Sequence, residues 1–530
     1  MNLLRASGLI AAGTLVSRLT GLVRTIVLVA AISSVGASAD AFYVANQLPN
    51  TVLTLISTGL LTGVIVPRVV AVSAQPDGAR TFLPKLITAG ASILLLTTAV
   101  AMALAPVLVA VMASGYDSTQ RELTVAFAYW CLPQIFFYGM FALIGESLNA
   151  RRIFTPYAWA PVVNNIVSIA GFGLFIVLFG FHRNEVGWWT PSAIALVGGT
   201  ATLGIIAQTV VLAISWRRSG IPLRPDFRWR GVGFGSMGSL ATWTFGMVVV
   251  TLLAGLVQVN IMSAASGEDA SVAVWGNAWL IYMVPYALVV LSIGTPYFTR
   301  ISEHAAAGRG NDVRADITAA IRTLGLFVVI SAAALIAAAA PASRIFTSSA
   351  DDALLAAPVL VAFLIGLIPM AVLFIIQRTF YAYGDTRTPF FFTLAQGALV
   401  VVLTLVAGMA PKEYLTATVA SVQTLCGILE LVLAIWLLRR KIGPLGLRKA
   451  VTSLSIFLAA ALPSALAGWG IYVWSGGNDG WMLDNLFLGA AGTALICAVA
   501  GAIYLGILAA LRTPELTSAV SLVRARFGRG

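Results

Sequence analysis

Residues 9 to 34 read LIAAGTLVSRLTGLVRTIVLVAAISS, and the two arginines inside this run decide how the whole chain is read. The run is apolar and long enough to cross a bilayer as one helix, for which about 20 residues suffice. At ~1.5 Å per residue, Arg18 lies roughly 15 Å and Arg24 roughly 24 Å along its axis, so neither is near an end. An arginine at that depth costs ~2.5 kcal/mol or more unless it meets water or an anion. Both are therefore functional candidates, and the chain is expected to enclose a wet, positively charged cavity. Six residues correspond to ~240° of rotation at ~100° per residue, so the two guanidinium groups leave the helix at different depths on sides ~120° apart. Gly21 between them lets a neighbour or a ligand come close.

The rest of the 530 residues belongs to the same solvent. Hydrophobic residues make up 59% of the chain and charged ones only 10%, with a mean hydropathy of +0.94, which is the composition of a polytopic membrane protein. Cys131, Cys426 and Cys497 lie in apolar runs without paired or metal-ligand spacing and read as reduced thiols. His182 and His304 read as lone, solvated loop residues, since a metal site needs convergent ligands. Arg5 followed by apolar residues and Ala37-Ser38-Ala39 imitates a signal peptide, but two arginines in the apolar core make a poor one.

Apolar runs place spans near 8–34, 39–67, 84–114, 122–149, 155–180, 190–215, 233–265, 271–299, 317–340, 353–380, 389–409, 414–438, 449–474 and 485–511. With the N-terminus cytoplasmic, 26 of the 32 Lys and Arg residues fall on the inner side, while Arg121, Arg183, Arg344 and Lys412 fall outside. That bias is topogenic. It gives a multi-pass membrane protein with both termini cytoplasmic, and it explains the +12 net charge without nucleic acid. Trp188, Trp189, Trp469, Trp474 and Trp481 at outer span ends read as interfacial belt residues.

Two echoes suggest a duplication. Gly21-Leu22-Val23 recurs as Gly255-Leu256-Val257, and Thr155-Pro156 recurs as Thr388-Pro389, at offsets that agree within one residue. The expected fold class is all-α and polytopic, with about fourteen transmembrane helices. Two pseudo-symmetric six-helix lobes, 1–220 and 221–445, flank a central cavity and are related by an axis along the membrane normal. Residues 446–530 add two further helices and a basic cytoplasmic tail. No nucleotide-binding motif or soluble domain is present in the sequence, so ATP-driven transport by this chain alone is not expected, and the chain is read as a transporter and not an enzyme.

Three stretches carry a family resemblance: Ser17-Arg18-Leu19-Thr20-Gly21-Leu22-Val23-Arg24 followed by Ala39-Asp40-Ala41-Phe42 and Leu48-Pro49-Asn50; GESLNARRIFTPYAWAPVVNN at 145–165; and Asp385-Thr386-Arg387-Thr388-Pro389. Together they resemble the MurJ/MviN family of the multidrug/oligosaccharidyl-lipid/polysaccharide exporter superfamily along the whole chain. The resemblance implies flipping of undecaprenyl-pyrophosphate-linked lipid II to the outer leaflet by alternating access, with cell-wall synthesis proteins and membrane lipids as further partners. It implies that Ser17, Arg18 and Arg24 line a cationic cavity and that Asp40 belongs to an outer gate; Asn50 and Asn165, as polar side chains of the quoted motifs, are candidate further substrate contacts. Family members commonly carry an arginine and a glutamate where this chain has Leu53 and Thr58, and Ala-Asp-Arg where it has Ala278-Trp279-Leu280.

Alternatives remain open from the residues themselves. Asp40 can simply cap a helix start, and Asn165 can pair helices instead of holding substrate. No resident cofactor is expected. Na+ or the membrane potential can supply the energy, Asn260 being compatible with Na+ coordination by its carbonyl and Glu430 with ion coupling or plain burial beside a polar neighbour. The competing functions are a cation-coupled exporter of the same superfamily, which would want acidic residues where the first lobe offers arginines, and a non-transporting scaffold for cell-wall synthesis. Helices 449–474 and 485–511, almost free of charge, are expected to form a groove for a long isoprenoid tail.

Overall fold

The computed structural model describes residues 3–56, 78–151, 153–219, 225–227, 239–267 and 269–517, and these are helical apart from turns and short connections. Among them, thirteen segments are long and apolar enough to cross a membrane. The second span expected at 39–67 begins as a helix at Ala37–Ile56, and its remainder, including Thr58, lies outside the described residues. The chain forms two compact units, Met1–Glu268 and Asp269–Gly530.

In the first unit, α1 (Leu3–Ile32) packs along α7 (Thr155–Phe179), which packs along α8 (Pro191–Arg218). Alpha-carbon approach sets this layer. A Cβ on Gly171 would lie 2.1 Å from Thr200 Cγ2, and one on Gly204 would lie 2.2 Å from Asn164 Oδ1. Small residues thus let the helices close where lipid offers no hydrophobic drive between them. Further along the chain, α2 (Ala37–Ile56) packs on α5 (Ser118–Cys131), and α3 (Gly78–Ala103) on α6 (Gln134–Ala150). Between α3 and α5 lies the short α4 (Ala105–Met112), and α9 (Ser239–Met262) closes the unit. Helix starts follow their sequence signals. Asp117 caps α5 through the Gln120 N–H, and Thr190 caps α8 just ahead of Pro191.

The second unit begins with α10 (Val272–Pro285), which passes through a π-helical turn at Tyr286–Leu291 into α11 (Ser292–Ala306). Pro285 sits at the junction, where its missing N–H and its ring disturb the regular ladder. Next come α12 (Gly310–Ala337), α13 (Ala339–Arg344), α14 (Ala350–Ile365), α15 (Leu367–Ala382), α16 (Arg387–Ala407), α17 (Lys412–Ile442), α18 (Arg448–Trp474) and α19 (Leu486–Ala510). The last pair packs mainly on α12. The Tyr504 hydroxyl donates to Leu326 O at 2.9 Å, and Arg322 Nε and Ser453 Oγ both donate to Glu515 Oε1, at 2.7 and 2.6 Å.

Several expectations need correction. Trp189 is not a belt residue. It is buried, its indole stacks on Phe175 with centroids 5.6 Å apart, and its N–H donates to Ser38 Oγ at 2.9 Å. Trp469, Trp474 and Trp481 are exposed, as belt residues must be. His304 is not solvated alone, because its Nδ1 lies 3.0 Å from Asp316 Oδ2, an oxygen on the same carboxylate that accepts from Arg300. Arg344, counted as an outer-loop charge, is buried and donates to the carbonyls of Leu483, Thr347 and Asp484. All three cysteines are free thiols.

Candidate functional site

The site is built on α1, which presents an open face with Leu15, Arg18, Leu19 and Val23 exposed while Arg24 is half-buried. Neither arginine takes part in an ion pair among the described residues. Their charge is thus left for solvent or an anion. Tyr138 on α6 lies within electrostatic reach of Arg24 and near the Asn50 side chain on α2. Tyr138, in the aromatic run Phe136-Phe137-Tyr138, carries no sequence signal that would single it out.

Ser17 and Asn165 meet, but through the backbone. Asn165 Nδ2 donates to Ser17 O and to Thr20 Oγ1, both at 2.9 Å. The Thr20 hydroxyl itself donates to Val16 O at 2.8 Å. The amide thus clamps α7 to α1 one turn below Arg24, and a Cβ on Gly21 would meet this same nitrogen at 3.6 Å. Of the two readings of Asn165, the geometry realises helix pairing.

Asp40 is not a simple cap. It is 1% exposed, and its Oδ2 accepts from Ser266 Oγ at 2.6 Å. Gln120 Nε2 donates to Ser266 Oγ at 2.7 Å and to Ala37 O at 2.9 Å. Burial first, and then the Asp40 carboxylate, push the Tyr116 phenol well above its ordinary pKa, so it stays protonated beside this acid. Close by, Asn260 Nδ2 donates to Val111 O at 2.8 Å, its Oδ1 accepts from Ser114 Oγ at 3.1 Å, and Ser263 Oγ accepts from Gly115 N–H at 3.0 Å. The end of α9 and the segment after it are thereby tied to α2, α4 and α5. Asn260 uses both faces of its amide in these ties. The loop joining α1 to α2 is braced from behind, with Asn184 Nδ2 donating to Val35 O at 2.9 Å. Gly36, at φ +130°, is required there because a Cβ would lie 1.9 Å from that Asn184 side chain.

Glu430 belongs to the second unit. Its Oε1 accepts from Thr393 Oγ1 at 3.1 Å, the polar neighbour that burial demands. The positions without the family's charges are filled by apolar contacts. Leu53 packs onto the core of Leu83, Leu86, Leu143 and Trp216. Trp279 joins Tyr282 and Phe363, with centroids 5.1 and 5.3 Å away. The Asp385-Thr386-Arg387-Thr388-Pro389 motif opens α16, and Asp385 accepts from both the N–H and the hydroxyl of Thr388 and from Lys441 Nζ.

The fold, all-α with Arg18 and Arg24 inside one span, resembles that of polytopic transporters of the exporter superfamily that includes the multidrug transporters. An inward-facing multidrug resistance MATE family transporter of that superfamily superposes with a TM-score of 0.61 at 16% identity, covering 81% of this chain and 95% of that one. A lipid II flippase MurJ in an inward closed conformation superposes with a TM-score of 0.70 at 20% identity, covering 93% and 98%. The family model described as lipid II flippase MurJ matches residues 29–490, and the chain belongs to that family. Relatives include the probable lipid II flippase MurJ of Synechocystis sp., 24% identical over 89% of this chain and 88% of the relative. The lipid II flippase MurJ of Burkholderia cenocepacia is 28% identical over 76% and 77%.

Proposed function

We propose that the chain moves the undecaprenyl-pyrophosphate-linked peptidoglycan precursor lipid II from the inner to the outer leaflet of a bacterial plasma membrane, by alternating access and without catalysis. The observation that carries this reading is the pair Arg18 and Arg24. They are permanent cations within a span, free of any carboxylate among the described residues, in a member of the lipid II flippase family. A pyrophosphate cannot cross hydrocarbon unaided, and forked guanidinium donors match its oxygens at any physiological pH. Alternating access is a rocking of the lobes 1–220 and 221–445, both termini stay cytoplasmic, and energy comes from Na+ or the membrane potential. Cell-wall synthesis proteins are the macromolecular partners. The isoprenoid tail lies along α18 and α19, whose exposed Leu458, Leu462 and Leu466 form an apolar outer stripe. A cation exporter is disfavoured by the same two arginines. The test is rescue of a strain depleted of its lipid II flippase, read as accumulated versus surface-exposed lipid II. Rescue supports the reading, whereas failure to rescue together with export of cationic dyes would replace it.

A further inference from the structure

A cavity of about 340 Å³ opens on the first unit between α3, α6 and α8, lined by Ile87, Ala91, Leu95, Phe136 and Trp216 and roofed by Pro225 and Phe227. That volume lies within the range of ligand pockets, roughly 300–1,000 Å³. It is not part of the arginine site, because α1 packs along α7 and the cavity uses neither. Its wall is largely apolar, and basic residues neighbour its lining residues along the chain. Lys85 follows Pro84, and the exposed Arg217 and Arg218 follow Trp216 at the end of α8. Arg151 reaches the same end, its Nη1 donating to Ser219 Oγ at 3.3 Å. The roof is held down by the Asp226 N–H, which donates to Thr88 Oγ1 at 2.9 Å. Asp226 is the one acid in this group. Phe227 and Leu95 are 68% and 61% exposed, so the mouth is apolar on the side where α3 meets lipid.

We infer that this cavity binds an anionic phospholipid of the inner leaflet, one acyl chain in the cavity and the phosphate among Lys85, Arg217 and Arg218. The placement rests on the orientation proposed above, in which these cations are cytoplasmic. An apolar slot whose lining residues have cations next to them in the chain, at the inner headgroup level, is complementary to such a lipid, and basic pockets between helices on that side hold anionic head groups. The bound lipid would also fasten the 225–227 segment, which joins α8 to α9, against α3.

The test uses the full chain, purified in mild detergent and exchanged into nanodiscs of phosphatidylcholine with one-tenth phosphatidylglycerol, followed by native mass spectrometry of retained lipid. The wild type is expected to retain phosphatidylglycerol in preference to phosphatidylcholine. Lys85→Gln and Arg217→Gln should each lower that retention about fivefold, and Ala91→Phe, which fills the slot, should abolish it. Should Ala91→Phe fail to fold, Phe227→Ala serves in its place, with retention expected to fall while the protein stays monodisperse. Equal retention of the two lipids, or retention unchanged by the cation and slot variants, would overturn the inference. So would preferential retention of undecaprenyl phosphate over phosphatidylglycerol, which would assign the slot to the transported lipid. Flipping is not the readout, so a failed flipping assay leaves this result independent.

Discussion

Arg24 is the residue on which the chemistry can be tested most directly, because it lies well inside a span and takes part in no ion pair among the described residues. Arg24→Ala removes a forked, charge-assisted contact to an anion, an interaction worth about 1.5–3 kcal/mol, so flipping should fall roughly 10- to 100-fold at unchanged protein level. Arg24→Lys should recover part of that loss, since a point charge replaces the fork. Unchanged lipid II flipping and binding in Arg18→Ala, Arg24→Ala and the double variant would return both arginines to a packing role. A second residue tests the helix-start motif. Burial alone would raise the Asp385 carboxyl, but Lys441 and the two Thr388 donors outweigh it and hold the group below the ordinary carboxylate range. A depressed folded pKa stabilises the protein above the unfolded value of ~3.9, and that stabilisation disappears as pH falls through the lower folded value. Asp385→Asn should therefore cost about 0.5–1 kcal/mol, the scale of a partly exposed pair. The gap in melting temperature from wild type should be flat from pH 8 to 5 and close below about pH 4.

The glycines of the α7–α8 contact set a test at the scale of the element. Gly171 and Gly173 lie two residues apart on one helix, yet a Cβ on the first would meet Thr200 at 2.1 Å and one on the second meets nothing within 4 Å. Gly171→Ala must push the helices apart, at about 1–3 kcal/mol. Gly173→Ala should be neutral or stabilising by up to ~1 kcal/mol, because alanine is the better helix former. Thermal unfolding of the two variants in the same detergent decides it, and equal melting temperatures would mean that the close approach does not limit stability. This contrast also shows what a sequence can and cannot disclose. Span positions were legible, because a bilayer imposes length and hydropathy on every helix, and helix starts such as Thr190-Pro191 and Thr388-Pro389 announce themselves by local chemistry. Which glycine touches a neighbour depends on which helices adjoin. So does the fate of Trp189, which the sequence places at a membrane interface and the structure buries on Phe127 and Phe175. Asn165 could be read as binding or pairing until α1 was found beside it. The π-turn at Tyr286–Leu291 had only Pro285 to mark it.

For the whole molecule, the ties at the end of α9 make the gate proposed from Asp40 testable. By the sequence echo α9 opens the second repeat, yet its last turn and the segment beyond it are bonded to α2, α4 and α5 of the first, through Asn260, Ser263 and Ser266. In the proposed orientation this is the outer face. If Asp40 belongs to the outer gate, these bonds break each time the protein opens outward, and Asp40, Gln120 and Ser266 separate with them. Their individual strength is modest, of the order of 1 kcal/mol each net, which suits a latch that must open in every cycle. A covalent tie at the same place should not open at all. Ser114 and Asn260 touch side chain to side chain at 3.1 Å, so Ser114→Cys with Asn260→Cys, in a background where Cys131, Cys426 and Cys497 are alanine, places two thiols within bridging reach. Oxidation or a short bifunctional reagent should abolish flipping, and reduction of the disulfide should restore it, with either single cysteine variant insensitive to both treatments. If the cross-linked protein flipped lipid II at the rate of the reduced one, the latch would have to lie elsewhere, and Asp40 would be a buried structural carboxylate with no part in gating.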